Sequence, residues 1–128
     1  NASDILNRRA EEFMKEEVGD TGRTLSEIAF SDIPAAINVL SYYSNLPSIL
    51  GNGPGSMMQN VDNTQNSISY ILREPIGVTV GIGAWNYPLM NVIQKSVPAL
   101  AFGNAMLYKP SELTPGTAQL LAEVYEEA

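Results

Sequence analysis

The chain contains no cysteine and no histidine among its 128 residues. That removes disulfides, thiolate zinc sites, cysteine nucleophiles and histidine acid–base catalysis together, so most self-contained hydrolase mechanisms have no residues to work with. Basic residues are scarce too: seven Lys and Arg against fourteen Asp and Glu leave a net charge of −7. Nothing in that balance would neutralise a row of phosphates, so no nucleic-acid partner is expected; the spread acidic charge reads as solubility. No apolar run reaches the ~18 residues a membrane helix needs, and NASDILNRRAEEF lacks a signal peptide's apolar core, so no membrane partner is expected either. An initiator methionine is absent, and AQLLAEVYEEA stops while still reading as helix, which together suggest an internal segment of something longer. What is present is 45% hydrophobic, enough for one modest domain with a real core.

Periodicity divides the chain. SDILNRRAEEFMKEEV places Leu6, Ala10, Phe13 and Met14 at helical spacing, with the charges on the opposite face. Asp20 to Gly22 reads as a turn, and Thr24 with Glu27 fits a capping box opening a second helix through about Leu46, kinked or split by Pro34. LGNGPGSMMQNVDNTQNS has little periodicity and reads as a long loop or an irregular approach to a hairpin. SISYILR alternates Ile68, Tyr70 and Leu72 against Ser67, Ser69 and Arg73, as a half-exposed strand does, and Glu74-Pro75 ends it.

IGVTVGIG is short, β-branched and apolar on both faces, the pattern of a strand buried between helix layers. Asn86 can cap the next helix, with Pro88 in its first turn; Gly103-Asn104 closes it and AMLYK supplies a second buried strand. Thr114-Pro115 opens a last helix with Ala118, Leu121, Ala122 and Tyr125 on one face. The fold class is therefore α/β: N-terminal helices and a hairpin, then a βαβα unit with a right-handed crossover in a parallel, Rossmann-like sheet. The segments are 1–50, 51–75 and 76–128.

Ligands of parallel α/β sheets bind beyond the carboxyl ends of the strands, where GIGAWN and KPSE both fall. The first matches only part of the dinucleotide fingerprint, since Asn86 stands where a third glycine belongs. Each residue taken alone has a plainer explanation: the glycines permit a turn, Asn86 caps a helix, Lys109 is a solvated strand end and Glu112 answers a helix dipole. Lys95 reads as solvated surface and Asp20 as a turn former. The competing explanation has backbone around Gly83, Ala84 and Trp85 approaching a cofactor, Asn86 donating to a developing negative charge, and Lys109 with Glu112 meeting ribose hydroxyls. An acid near the ribose would favour NAD over NADP.

GVTVGIGAWNYP followed by PALAFGNAMLYKPSELTP resembles the aldehyde dehydrogenase superfamily, most of all its betaine aldehyde and trimethylaminobutyraldehyde branch. DTGRTLSE, Asp32-Ile33, Tyr42-Tyr43 and REPIGV fall in the family's order, so the resemblance spans nearly the whole chain. Such enzymes are roughly four times this length. The resemblance implies an incomplete aldehyde dehydrogenase fold: an N-terminal helical part, an oligomerisation-type hairpin strand and the start of the NAD-binding domain. It implies oxidation of a small-molecule aldehyde by NAD through a cysteine thiohemiacetal, with cysteine and general-base glutamate downstream of this segment, which alone should be inactive. Asn86 aligns with an oxyanion donor, a role worth ~3 kcal/mol in comparable sites. Gly83, Ala84 and Trp85 align with backbone lining the cofactor, and Lys109, Pro110, Ser111 and Glu112 with the run at the adenosine ribose. Lys95 aligns with a proton-relay lysine, Asp20 and the carbonyl of Leu113 with ligands of a structural monovalent cation, potassium or sodium. A homo-oligomer, tetramer or dimer, in the cytoplasm is implied as well.

One departure concerns substrate. Tyr87 matches an aromatic of the branch's cation box, but Gln94 stands where a tryptophan is usual. Losing that wall removes ~1 kcal/mol or more of cation–π attraction, which sets betaine aldehyde against other amino aldehydes. The alternative function is a catalytically inactive structural or binding relative on the same scaffold.

Overall fold

The computed structural model describes residues 1–50, 57–62 and 67–128. The first amphipathic stretch is two helices, α1 (Ala2–Arg8) and α2 (Ala10–Thr21), where one was expected. The break at Arg9 (φ −93°, ψ 12°) lets α1 bury Ile5 and Leu6 while α2 buries Phe13 and Glu17. Arg9 itself bridges helices, with Nε 2.7 Å from Glu12 and Nη2 2.6 Å from Glu123. Not every charge of this stretch faces water: Glu17, one turn after Phe13 on the same face, is fully buried. Asp20 and Thr21 are still helical, and the turn is Gly22, left-handed at φ 69°, whose N–H donates to the Val18 carbonyl at 2.9 Å.

Thr24 caps the next element, its hydroxyl accepting from the Glu27 N–H at 3.4 Å, but the expected capping box is only half made, because the Glu27 carboxylate accepts from Arg23 Nη2 at 2.8 Å instead. After α3 (Leu25–Glu27) the chain widens into a π-helical segment, Ile28–Asp32, and continues as α4 (Ile33–Leu50). Pro34 is the physical reason for the split, since it lacks an N–H and its ring crowds the carbonyl one turn earlier. β1 (Met57–Asp62) pairs antiparallel with β2 (Ser67–Leu72), Met57 opposite Leu72 and Asp62 opposite Ser67. SISYIL is thus the strand its alternation predicts, whereas MMQNVD was expected in a loop; Gln59 and Asn60 weaken its strand signal. The rest of the expected loop, 51–56 and 63–66, lies outside the described residues.

The last portion runs β3 (Val78–Ile82), α5 (Pro88–Ala101), β4 (Ala105–Lys109) and α6 (Gly116–Glu127). β3 and β4 are parallel neighbours, Val78 opposite Ala105 and Ile82 opposite Lys109. Gly103 (φ 80°) ends the α5 turn, and Asn104 ties it to β3: its amide donates to the Ala99 carbonyl at 3.2 Å while its oxygen accepts from the Gly77 N–H at 3.1 Å. The core lies between helices, with Leu6, Phe13, Ile28, Leu89, Ile93, Leu121 and Val124 fully buried. Burial of both sheet faces was expected and is corrected: Met106 and Tyr108 are partly covered, but Val78, Val80, Ile82 and Leu107 on the other face are 64–73% exposed.

Candidate functional site

The two strand-end loops leave from one point. The Gly83 N–H, just past β3, donates to the carbonyl of Lys109 at the end of β4, at 3.0 Å. A Cβ at Gly83 would overlap the Tyr108 hydroxyl, so the backbone there runs close because it carries no side chain. Ala84 and Trp85 follow, both exposed, and Trp85 to Tyr87 form a bend. Asn86 is exposed and makes no hydrogen bond among the described residues, leaving its amide free to donate.

The expected Asn86 cap is not what starts α5. Tyr87 holds the N-cap position without a side-chain bond, and Pro88 follows at the first helical position. The next N–H, that of Leu89, donates to both carboxylate oxygens of Glu17 at 3.4 and 3.3 Å. Glu17 has its pKa pushed up to about 7, first by burial, with the nearby Asp32 charge adding to it and the Leu89 N–H opposing it. The buried Thr117 hydroxyl lies close enough to favour the ionised form, yet has no partner in hydrogen-bond geometry. Asp32, also buried, receives Arg23 in a fork of 2.5 and 3.1 Å, and the Arg23 guanidinium lies 4.1 Å from the centroid of the Tyr87 ring. Sequence reasoning missed Glu17 and Arg23; the Phe13–Glu17 spacing was the available signal for the first.

In the second loop Lys109 Nζ donates to the Pro110 carbonyl at 2.9 Å and stands 3.6 Å from Glu112 Oε2. The exposed Glu112 carboxyl is held below the usual carboxylate range by its own backbone N–H first and by Lys109 second. Ser111 Oγ accepts from the Leu113 N–H at 3.2 Å, and Leu113 is exposed. Thr114 was expected to cap α6, but its hydroxyl is buried without a partner; Asp20 takes that role, Oδ2 accepting from the Gly116 N–H at 3.0 Å. On α5, Lys95 packs its stem near Gly81 and donates from Nζ to Asn91 Oδ1 at 3.2 Å, one turn nearer the loop, with no bond to Asn86. Gln94 beside it is exposed.

The arrangement therefore offers an unpartnered amide, an exposed indole, a cation and an ionised carboxylate at the carboxyl edge of two adjacent parallel strands. It includes no cysteine. No group of three or more Asp, Glu, His or Cys is placed to hold a metal ion among the described residues. The family model described as the aldehyde dehydrogenase family matches residues 1–128. The chain belongs to the aldehyde dehydrogenase family. Among solved members, a double mutant of betaine aldehyde dehydrogenase from Staphylococcus aureus in complex with NAD+ is 34% identical, with a TM-score of 0.84 over 98% of this chain and 24% of its own. Indole-3-acetaldehyde dehydrogenase in its apo form is 32% identical, with a TM-score of 0.88 over 98% of this chain and 28% of that one. An aldehyde dehydrogenase from Mycobacterium tuberculosis complexed with NAD+ is 29% identical, with a TM-score of 0.87 over 98% and 25%. The chain thus spans about a quarter of the length of the dehydrogenases it matches.

Proposed function

We propose that the whole protein oxidises an aldehyde to the carboxylate with NAD, and that this chain supplies one wall of the cofactor site and the donor that meets the developing oxyanion. The observation that carries the reading is Asn86: exposed, unpartnered among the described residues, and set at the end of β3 beside the loop that leaves β4. A preorganised amide donor of this kind stabilises charge that develops only in the transition state. NAD, when bound, accepts the hydride. Gly83, Ala84 and Trp85 would lie along it, the missing side chain at Gly83 giving backbone access. Lys109, Pro110, Ser111 and Glu112 would face its adenosine ribose, the ionised Glu112 repelling a 2′-phosphate.

Lys95, held by Asn91, is assigned to proton relay. Asp20 and the Leu113 carbonyl would hold a monovalent cation: Asp20 uses Oδ2 on Gly116, its Oδ1 stays available, and the Thr114 hydroxyl is an orphan. Tyr87 and Gln94 would face the substrate, with Arg23 already covering one face of the Tyr87 ring. That contact and Gln94 favour another amino aldehyde over betaine aldehyde. We assign 1–50 to a helical unit, 51–75 to a hairpin that joins copies into a dimer or tetramer, 76–128 to the cofactor domain, and the protein to the cytoplasm.

The test is NADH formation by the whole protein across a panel of aliphatic and amino aldehydes; production from none of them overturns the reading. Asn86→Ala should lower kcat about 100-fold, the equivalent of ~3 kcal/mol, with KM for NAD nearly unchanged. A raised KM for NAD at unchanged kcat would make Asn86 a cofactor or loop residue instead.

A further inference from the structure

Two contacts reach from α2 and the segment just after it to the turn that carries Asn86. Glu17 accepts from the first free N–H of α5, at Leu89, and the Arg23 guanidinium lies over the Tyr87 ring, 4.1 Å from its centroid, while Asp32 fixes it. The stretch from Trp85 to Leu89 is pinned at the residue after Asn86 and again two residues beyond that, from sites 64 and 72 residues back in the chain (Arg23 to Tyr87, Glu17 to Leu89). Glu17 and Asp32 are both fully buried, and buried charges are costly compared with a well-packed apolar residue of similar volume. Such an arrangement makes sense where a direction has to be fixed, and an N–H at a helix start is a directional donor with the positive end of the helix behind it.

We propose that Glu17, together with the Arg23–Asp32 pair, is a positioning device that aims the Asn86 amide by fixing the first turn of α5. The proposal rests on the reading of Asn86 as the oxyanion donor. Glu17 touches neither substrate nor cofactor; it acts through Leu89, as Arg23 acts through Tyr87. The groups facing Glu17 are the Leu89 N–H from α5, Thr117 from α6, and Asp32 and Arg23 from the segment after α2. A role in holding the fold alone would predict a different result, because loss of packing loosens the chain as a whole.

The experiment uses the whole protein with Glu17→Ala, Glu17→Gln and Arg23→Lys. Hydrogen exchange is read by mass spectrometry on peptides covering 85–92 and, for comparison, 36–43 of α4, alongside steady-state kinetics. Glu17→Ala should speed exchange in 85–92 selectively and lower kcat about tenfold, with KM for NAD within twofold. Glu17→Gln keeps an acceptor oxygen for Leu89 and should restore both protection and most of kcat. Arg23→Lys keeps a cation for Asp32 but no planar group over Tyr87, and should lower kcat several-fold. Exchange that rises equally across both peptides, or a Glu17→Ala enzyme with kcat within twofold of the parent, overturns the proposal. A protein that oxidises no aldehyde sinks the dehydrogenase reading alone, since the exchange pattern still decides whether Glu17 pins the turn.

Discussion

Glu17 is the residue whose environment departs furthest from its surroundings in sequence. In EEFMKEEV nothing distinguishes it from Glu11, Glu12 or Glu16, all of which are exposed, and only its place one turn after Phe13 marks the buried face. Its burial has a consequence for stability. A carboxyl with an ordinary value near 4.5 when unfolded and about 7 when folded binds more protons in the folded state between those limits. Stability from this group is therefore fully present below about pH 4.5 and is lost as pH rises through about 7. The shift corresponds to roughly 3 kcal/mol. Glu17→Gln should abolish that component: from pH 5 to pH 8 the parent should lose more stability against urea than the variant. Equal losses in the two proteins would mean that Glu17 is as readily ionised folded as unfolded.

At the scale of elements, two glycines three residues apart, one inside α2 and one at its C-cap, should respond to alanine with opposite signs. Gly19 lies within the helix and has open space where a Cβ would go, so Gly19→Ala should stabilise by about 1 kcal/mol through lower unfolded-state entropy and better helix propensity. Gly22 also has room but sits at φ 69°, where a Cβ is strained, so Gly22→Ala should destabilise by about 1 kcal/mol. Denaturant midpoints of the two variants should straddle that of the parent; displacement in one direction by both would refute the assignment. Apart from the break at Arg9 and the strand β1, the order of helices and strands was legible, because it follows from apolar period and from Gly and Pro punctuation, as at Gly22, Pro34 and Gly103. What stayed hidden was who caps what. Asn86 and Thr114 have the right chemistry and position for caps, yet the partners are Glu17 and Asp20, 72 and 96 residues away from the N–H groups they accept from. Local spacing carries no information about such pairs. That the two strand-end loops lie side by side was legible for the opposite reason: both are local features, and adjacency of β3 and β4 follows from the βαβα order.

The whole molecule is unevenly finished. Its helices share a closed core, while the parallel pair shows Val78, Val80, Ile82 and Leu107 on one bare face, with Ile76 exposed just before it. Two strands are fewer than a free-standing sheet needs, and parallel strands are ordinarily covered on both sides. A contiguous apolar face with unpaired strand edges is a template for association. The 128-residue chain on its own should therefore self-associate at micromolar concentration, bind a hydrophobic dye and show weak or no affinity for NAD, since the two strand ends would supply only part of the proposed cofactor wall. Val80→Lys with Leu107→Glu, placed on neighbouring strands where Val80 pairs with Leu107, should raise the monomer fraction of the isolated chain in size-exclusion chromatography with light scattering. The same double substitution in the whole protein should lower its thermal midpoint, because there the face would be packed. An isolated chain that stays monomeric, excludes the dye and binds NAD at micromolar levels would mean that the bare face needs no cover and that the two strand-end loops suffice as a cofactor site.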